Sequence, residues 1–393
     1  MAEKLLLEPN TEFIHDAIET GGDFKKCMQC ATCTSVCSLS TEENPFPRRQ
    51  MLLAQLGMQS HMLADPAPWL CFYCGDCSKI CPRGANPGEN MMALRRYLTT
   101  KYDWTGLSRL MYRSVWAELG VLLLVAALVV GVFTVPQSFG FGLLAHSPAE
   151  ARTVVMLNYF APTMVVHHAD RVLALVLSFF LLTNAARMFF YLTRGKSVPL
   201  RAYVTQLPEF VLQALTQARW RKCADRTAIS NWLRHLFLVT GYGTIFTLVV
   251  IFLPWFQVEN SSFHWTSILG YYSTAVLLVT TAWILLDRMT KRTEMHRFSH
   301  LSDWLFPILL FLTAATGIAV NVLRLENLAM PTYYMYTIHM AIAVPMLIVE
   351  VPFGKWAHLL YRPLAIYVAA VQRKESEASA QEMVAAAQVV GQA

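Results

Sequence analysis

The stretch "CMQCATCTSVCS", Cys27 to Ser38, returns as "CFYCGDCSKICP", Cys71 to Pro82, and reading the two together decides how the first hundred residues fold. Each run is C-x2-C-x2-C-x3-C, with Cys27, Cys30, Cys33 and Cys37 in one and Cys71, Cys74, Cys77 and Cys81 in the other. Three closely spaced thiolates of such a run wrap one cubane cluster, and the fourth turns away to ligate the other. The expected sets are Cys27, Cys30 and Cys33 with Cys81, and Cys71, Cys74 and Cys77 with Cys37. Crossed ligation puts two [4Fe–4S] clusters in one small fold and stabilises a segment too short for a large apolar core. Zinc and disulfides are the competing readings. Zinc sites present cysteines in pairs, and disulfides need an oxidising compartment. Ser38 follows Cys37 where Pro82 follows Cys81, which is expected to loosen a turn and remove no ligand. The ninth cysteine, Cys223, sits alone in a basic loop and reads as a plain reduced thiol.

The flanks of the motifs are helical in pattern. "NPFPRRQMLLAQLG" offers Pro47 near a helix start and Gly57 at its end, and "NPGENMMALRRYL" repeats that arrangement. Neither alternates with a strand period, so residues 1–105 are expected to form an α-helical ferredoxin carrying two clusters. The fold class expected for the whole chain is all-α.

From about Trp116 the composition changes. The 393 residues are 55% hydrophobic and 15% charged, outside the ordinary soluble range. Six runs, near 116–135, 171–192, 233–257, 265–286, 304–323 and 334–353, are long enough to cross a hydrocarbon core needing about 20 helical residues. They define an expected six-helix cytochrome b domain over 106–365, with an Ala- and Gln-rich cytoplasmic tail over 366–393. Trp116, Trp255, Trp265, Trp304 and Trp356 fall at run ends, as interfacial aromatics do. Lysine and arginine concentrate before the first run, between the second and third, between the fourth and fifth, and after the sixth. That bias places both termini and the cysteine domain in the cytoplasm of an inner-membrane, multi-pass protein. The opening "MAEKLLLEPNTEF" lacks the apolar core of a secretory signal. The net charge of +6 follows from these loops rather than from a nucleic-acid surface.

Histidines at run ends are the natural ligands of a second redox carrier, haem b. His235, in "NWLRHLFLVTGYG", and His358, in "PFGKWAHLLYRP", are expected at inner depth on different helices, with Arg234 and Arg362 close enough in sequence to meet haem propionates. His339 lies near the outer end of the sixth run, about 28 Å from His358 along an ideal helix and about 100° around it. A second, outer haem on His339 would take His167 or His168 as partner, and a haem with one histidine ligand is the alternative. Asp170, Asn184, Arg187, His300, Asp303 and Glu350 are polar residues in or beside the runs that a quinone site could use.

The cysteine-bearing half, "CMQCATCTSVCS…NPFPRRQMLLAQLG…WLCFYCGDCSKICPRGANPGE", resembles HdrC, the small iron–sulfur component of heterodisulfide reductases. "SDWLFPILLFLTAATGI", "NVLR" and "PFGKWAHLLYRP" resemble the cytochrome b component of those enzymes and, more distantly, the membrane component of respiratory nitrate reductase. Fusion of the two parts is similar to the fused membrane component of quinone-interacting membrane-bound oxidoreductase (Qmo) complexes. The resemblance implies electron exchange with menaquinone through haem b, clusters that connect to cytoplasmic flavin and iron–sulfur subunits, and a chain leading toward adenylylsulfate reductase. It carries the inner haem ligands onto His235 and His358 and one outer ligand onto His339; the other would fall near Ile245, which cannot bind iron. Two further readings stand beside this one. One reverses the flow, or places the chain in a heterodisulfide-reductase-like complex. The other is a membrane-anchored iron–sulfur sensor or scaffold without haem.

Overall fold

The computed structural model describes residues 9–134, 149–222, 228–257, 264–292 and 294–390. Cys223 lies outside them. Described secondary structure is helical throughout. The cysteine-bearing region holds α1 (Thr11–Glu19), α2 (Thr32–Ser35), α3 (Arg48–Gln55), α4 (Gln59–Leu63), α5 (Ala67–Leu70), α6 (Asp76–Lys79) and α7 (Pro87–Tyr102), followed by α8 (Leu107–Arg113). Then come α9 (Val115–Thr134), α10 (Leu157–Phe160), α11 (Thr163–Thr193), α12 (Leu200–Thr216), α13 (Ala228–Val250), α14 (Leu253–Phe256), α15 (Trp265–Met289), α16 (Glu294–Arg297), α17 (Ser302–Leu325), α18 (Ala329–Glu350) and α19 (His358–Val390). By contacts the chain divides into two units. One comprises Met1–Arg109, Thr183–Trp232 and His358–Ala393; the other comprises Leu110–Leu182 and Leu233–Ala357.

The first unit shows why its short helices start and stop where they do. Asn10 caps α1 by accepting the Phe13 amide at 3.0 Å. α3 ends in a Schellman motif: the Met58 amide reaches the Leu53 carbonyl and the Gly57 amide reaches that of Ala54. Gly57 has φ +68° there, and a Cβ would lie 2.9 Å from the Asn10 backbone, so only glycine fits. Pro87 opens α7, as its sequence suggests. Phe13, Met51, Met62, Met91, Leu94 and Leu98 are fully buried between these helices. α19 packs on α5 and α12, and Tyr361 sets its ring edge-on to Trp69 and Tyr102.

In the second unit α9 and α17 pack on α18, and α15 packs on α17. Among the described residues of the whole chain, six helices are long and apolar enough to cross a membrane, one near each expected run. Large apolar side chains such as Leu123, Leu124 and Leu128 point outward from α9, as lipid-facing positions do. Multiple long apolar helices make this a multi-pass membrane protein. Two boundaries differ from expectation in ways that move candidate ligands. α11 begins at Thr163 and takes His167, His168 and Asp170 into the helix. Its 31 residues exceed the length a hydrocarbon core requires, so part of the helix extends past it. The sixth span ends at Glu350, and His358 opens a separate helix after a turn through Pro352 and Gly354. A Cβ on Gly354 would fall 2.8 Å from the Glu350 Cα, so glycine lets the chain turn back close to the Glu350 backbone. His339 and His358 therefore sit on different helices, and the ideal-helix spacing between them does not apply.

Candidate metal centre

The two cysteine runs fold as copies of one another. Gln29 and Ala31 in the first, and Tyr73 and Gly75 in the second, take left-handed φ of +61°, +67°, +58° and +89°. Three of the four are not glycine, and such residues cost about 1–3 kcal/mol each unless something holds them. Alternation of hand turns successive amides inward and forms a concavity suited to an anion. The Tyr73 amide donates to Cys71 Sγ at 3.3 Å and the Ala85 amide to Cys81 Sγ at 3.4 Å. The one-turn helices α2 and α6 carry Cys33 and Cys77 at equivalent places and pack on each other. The Cys37 carbonyl accepts the Ser40 amide at 3.0 Å, as that of Cys81 accepts Gly84 at 3.1 Å. Ser38 thus makes the same turn as Pro82, and the expected loosening does not occur.

The packing brings the fourth cysteine of each run to the other run. Cys33 has Cys27 and Cys81 as charge neighbours, Cys77 has Cys71, Cys74, Cys37 and Cys33, and Cys37 has Cys71 and Cys33. Burial pushes the Cys37 thiol up to about 11 and that of Cys77 further, and their thiol neighbours add to it. Thiolates crowded in this way need metal charge to exist. Two runs of four cysteines, each with the spacing that wraps a cubane, make a donor set that fits iron–sulfur clusters.

The surroundings of the two runs are unlike. On the first, Gln55 donates to the carbonyls of Phe24 and Cys27 at 2.9 and 2.7 Å, and Gln29 donates to Cys27 Sγ at 3.6 Å. On the second, two arginines converge on the Cys71 carbonyl: Arg95 at 2.6 Å and Arg362 at 3.2 Å. Arg95 also donates to the carbonyls of Pro68 and Trp69. Arg362 lies over the Trp220 ring at 5.1 Å, and Arg219 over Phe72 at 5.8 Å. Burial pulls the Arg362 guanidinium below its ordinary range, Arg95 pulls it further, and the Cys71 thiolate works against both. Both guanidinium groups thus meet at the Cys71 backbone carbonyl. Neither convergence is legible in the sequence, where Arg362 suggests a propionate partner and nothing marks Arg95.

His358, Arg362, Trp220, Arg219, Gln213 and Gln217 line one cleft. Elsewhere, His235 lies two turns inside α13, half-buried. Arg234 beside it is ion-paired with Asp287 at 2.7 Å and lies over Trp283. His339 is half-buried, with Nδ1 at 3.0 Å from the Thr316 hydroxyl and its ring against Gly317. Of the neighbouring pair, His168 is exposed, with Nδ1 on the Met164 carbonyl. His167 is buried, with Nε2 on the Val250 carbonyl and Nδ1 without a partner. Ile245 packs in the apolar cluster around Tyr242 and Met346. Several polar candidates serve local structure. Arg187 donates to the Tyr102 carbonyl at 2.9 Å, Asp303 pairs with Lys355, and His300 Nδ1 meets the Ser302 hydroxyl at 2.9 Å. Asn184 is buried, Asp170 is half-buried, and Glu350 accepts the Lys355 amide.

Comparison with known proteins bears on the cysteine-bearing region. A family described as a 4Fe-4S dicluster domain matches residues 23–85. An HdrC-like heterodisulfide reductase protein of Archaeoglobus profundus is 39% identical over 77 residues, 19% of this chain and 41% of that protein. The HdrC component of the H(2):CoB-CoM heterodisulfide,ferredoxin reductase of Methanothermobacter thermautotrophicus is 38% identical over 74 residues, 18% of this chain and 40% of that one. The HdrC component of the ferredoxin:CoB-CoM heterodisulfide reductase of Methanosarcina mazei is 33% identical over 81 residues, 21% and 50% of the two chains. The chain thus spans half or less of the length of these relatives. No solved structure matches. What these similarities and the helices establish is an iron–sulfur region, similar to HdrC of heterodisulfide reductases, joined in one chain to a six-helix apolar bundle of membrane character.

Proposed function

We propose that this chain is a membrane electron-transfer subunit. It exchanges electrons between menaquinone and cytoplasmic flavin and iron–sulfur partners through haem b and two [4Fe–4S] clusters, toward adenylylsulfate reductase in sulfate respiration. The observation that carries the reading is the approach of Cys81 to Cys33 of the first cysteine run and of Cys37 to Cys71 and Cys77 of the second. In the proposal the clusters occupy 1–105, the cytochrome b part 106–365 and the cytoplasmic tail 366–393, with the cysteine region on the inner side, where the basic loops lie. The bound groups would supply one-electron chemistry, and the protein their binding, orientation and electrostatics.

For the inner haem we assign His235 and His358, the latter in a cleft with Arg219 and Arg362. For the outer haem we assign His339 with a histidine of the 167–168 pair; the unpartnered, buried Nδ1 of His167 favours it over His168. The arginines at Cys71 place positive charge where an added electron would reside. Arg95→Gln is expected to lower the reduction potential of that cluster and leave the other unchanged, as read by a redox titration followed by electron paramagnetic resonance.

Visible spectra of the purified protein test the whole reading. A reduced b-type band appearing on addition of a menaquinol analogue supports it; absence of haem would overturn it in favour of an iron–sulfur sensor or scaffold. His358→Ala should lose the inner b-type absorbance and keep the iron–sulfur signals. Full b-haem content in that variant would show that the ligand is assigned wrongly.

A further inference from the structure

α12 lends Gln213 to the His358 cleft, and its other face carries an exposed apolar stripe. Leu200, Val204, Leu207, Val211 and Leu215 are 77%, 63%, 50%, 47% and 69% exposed. Their spacing of i, i+4, i+7, i+11 and i+15 confines them to an arc of about 80° on a helix of 3.6 residues per turn. The opposite face is taken: Ala202 and Gln213 are buried, the helix packs on α19, and the Tyr367 hydroxyl donates to the Tyr203 carbonyl at 2.9 Å.

Position and charge identify what covers the stripe. α12 follows the end of the candidate span α11 after a short connection, residues 194–199. It is held against that end, with the Tyr203 ring 5.8 Å from Phe189 of α11. α19 is tied to the same place, since Gln372 Nε2 donates to the Leu192 carbonyl at 2.9 Å. The helix therefore begins close to the end of the candidate span α11. Exposed Arg194, Lys196 and Arg201 precede or open it, and exposed Arg221 follows it. Its one acidic residue, Glu209, is occupied by Gln213 at 3.0 Å. An apolar stripe flanked by cations beside a candidate span matches an in-plane helix on an anionic bilayer.

We propose that α12 lies in the interface of an anionic membrane and, through α19, seats the cysteine loops at a set height above it. α19 completes that connection, because its Arg362 holds the Cys71 carbonyl. The inference goes beyond the electron-transfer reading and stands whether or not haem binds.

Photo-crosslinking of the full chain, with any co-purifying subunits, tests it in nanodiscs of phosphatidylethanolamine and phosphatidylglycerol. p-Benzoylphenylalanine is placed singly at Val204, Val211 or Leu215, and at Leu56, an exposed apolar residue just past the end of α3, as the control. Lipid adducts in excess of the control are expected at all three α12 positions, with phosphatidylglycerol over-represented among them. In the Arg194→Gln, Arg201→Gln background the phosphatidylglycerol share should fall toward its share of the bulk lipid. Crosslinks from Val211 to another subunit or to a second copy would overturn the proposal, as would lipid adducts no more abundant than at Leu56. Each replaced side chain is exposed, so folding is retained, and an unchanged iron content verifies it.

Discussion

Cys81→Ala should empty the cluster of the first cysteine run, not of its own. About half of the iron is lost if each cubane holds four ions, and Cys27, Cys30 and Cys33 become open to alkylation. Cys71, Cys74, Cys77 and Cys37 stay protected. Cys37→Ala gives the converse pattern. The expectation follows from placement: Cys81 is a charge neighbour of Cys33, and Cys37 one of Cys77 and Cys71. Mass spectrometry after alkylation under anaerobic conditions reads the two patterns directly. Alkylation of Cys71, Cys74 and Cys77 in the Cys81 variant would show that each run holds its own cluster, contrary to the crossed sets. Serine is avoided here because its oxygen can stand in for the lost sulfur.

Arg96→Met should destabilise the cysteine-bearing region by about 3–5 kcal/mol, the usual result of removing one partner from a buried ion pair. Arg96 is 6% exposed. Its Nε donates to the Thr20 carbonyl at 2.7 Å, and its Nη2 meets Glu89 at 2.7 Å. Glu89 also accepts the Tyr73 hydroxyl at 2.7 Å, which helps hold Tyr73 in its left-handed conformation in the second loop. Methionine fills the volume but takes the arginine charge away from Glu89 and the Nε–H donor away from the Thr20 carbonyl. Denaturant titration followed by cluster absorbance measures the loss. Adding Glu89→Gln to the variant should recover part of it, since a neutral amide needs no counter-charge. A loss under about 1 kcal/mol, the range of exposed pairs, would show that solvent replaces the arginine.

Much of this protein is local, and what is local was legible in the sequence. Two C-x2-C-x2-C-x3-C runs state a cluster motif because ligand spacing along the chain limits the reach of each thiolate. Six spans could be marked because about 20 apolar residues suffice to cross a bilayer, whatever packs beside them. Pro47, Gly57 and Pro87 marked helix ends because caps depend on neighbours a few residues away.

Other features required the folded chain. Gln29, Ala31 and Tyr73 hold left-handed conformations that no glycine announced. The break between Glu350 and His358 separates a candidate ligand from the span expected to carry it. α12 escaped notice since its stripe is amphipathic rather than uniformly apolar. Arg95 and Arg362 meet at one carbonyl, the second of them from 291 residues away in sequence. Spacing and hydropathy, being short-range, determined that this chain suits iron–sulfur ligation and that it enters a membrane. Which charges surround each cysteine run was decided only by tertiary structure, because buried guanidinium groups find their acceptors by convergence in space and not by position along the chain.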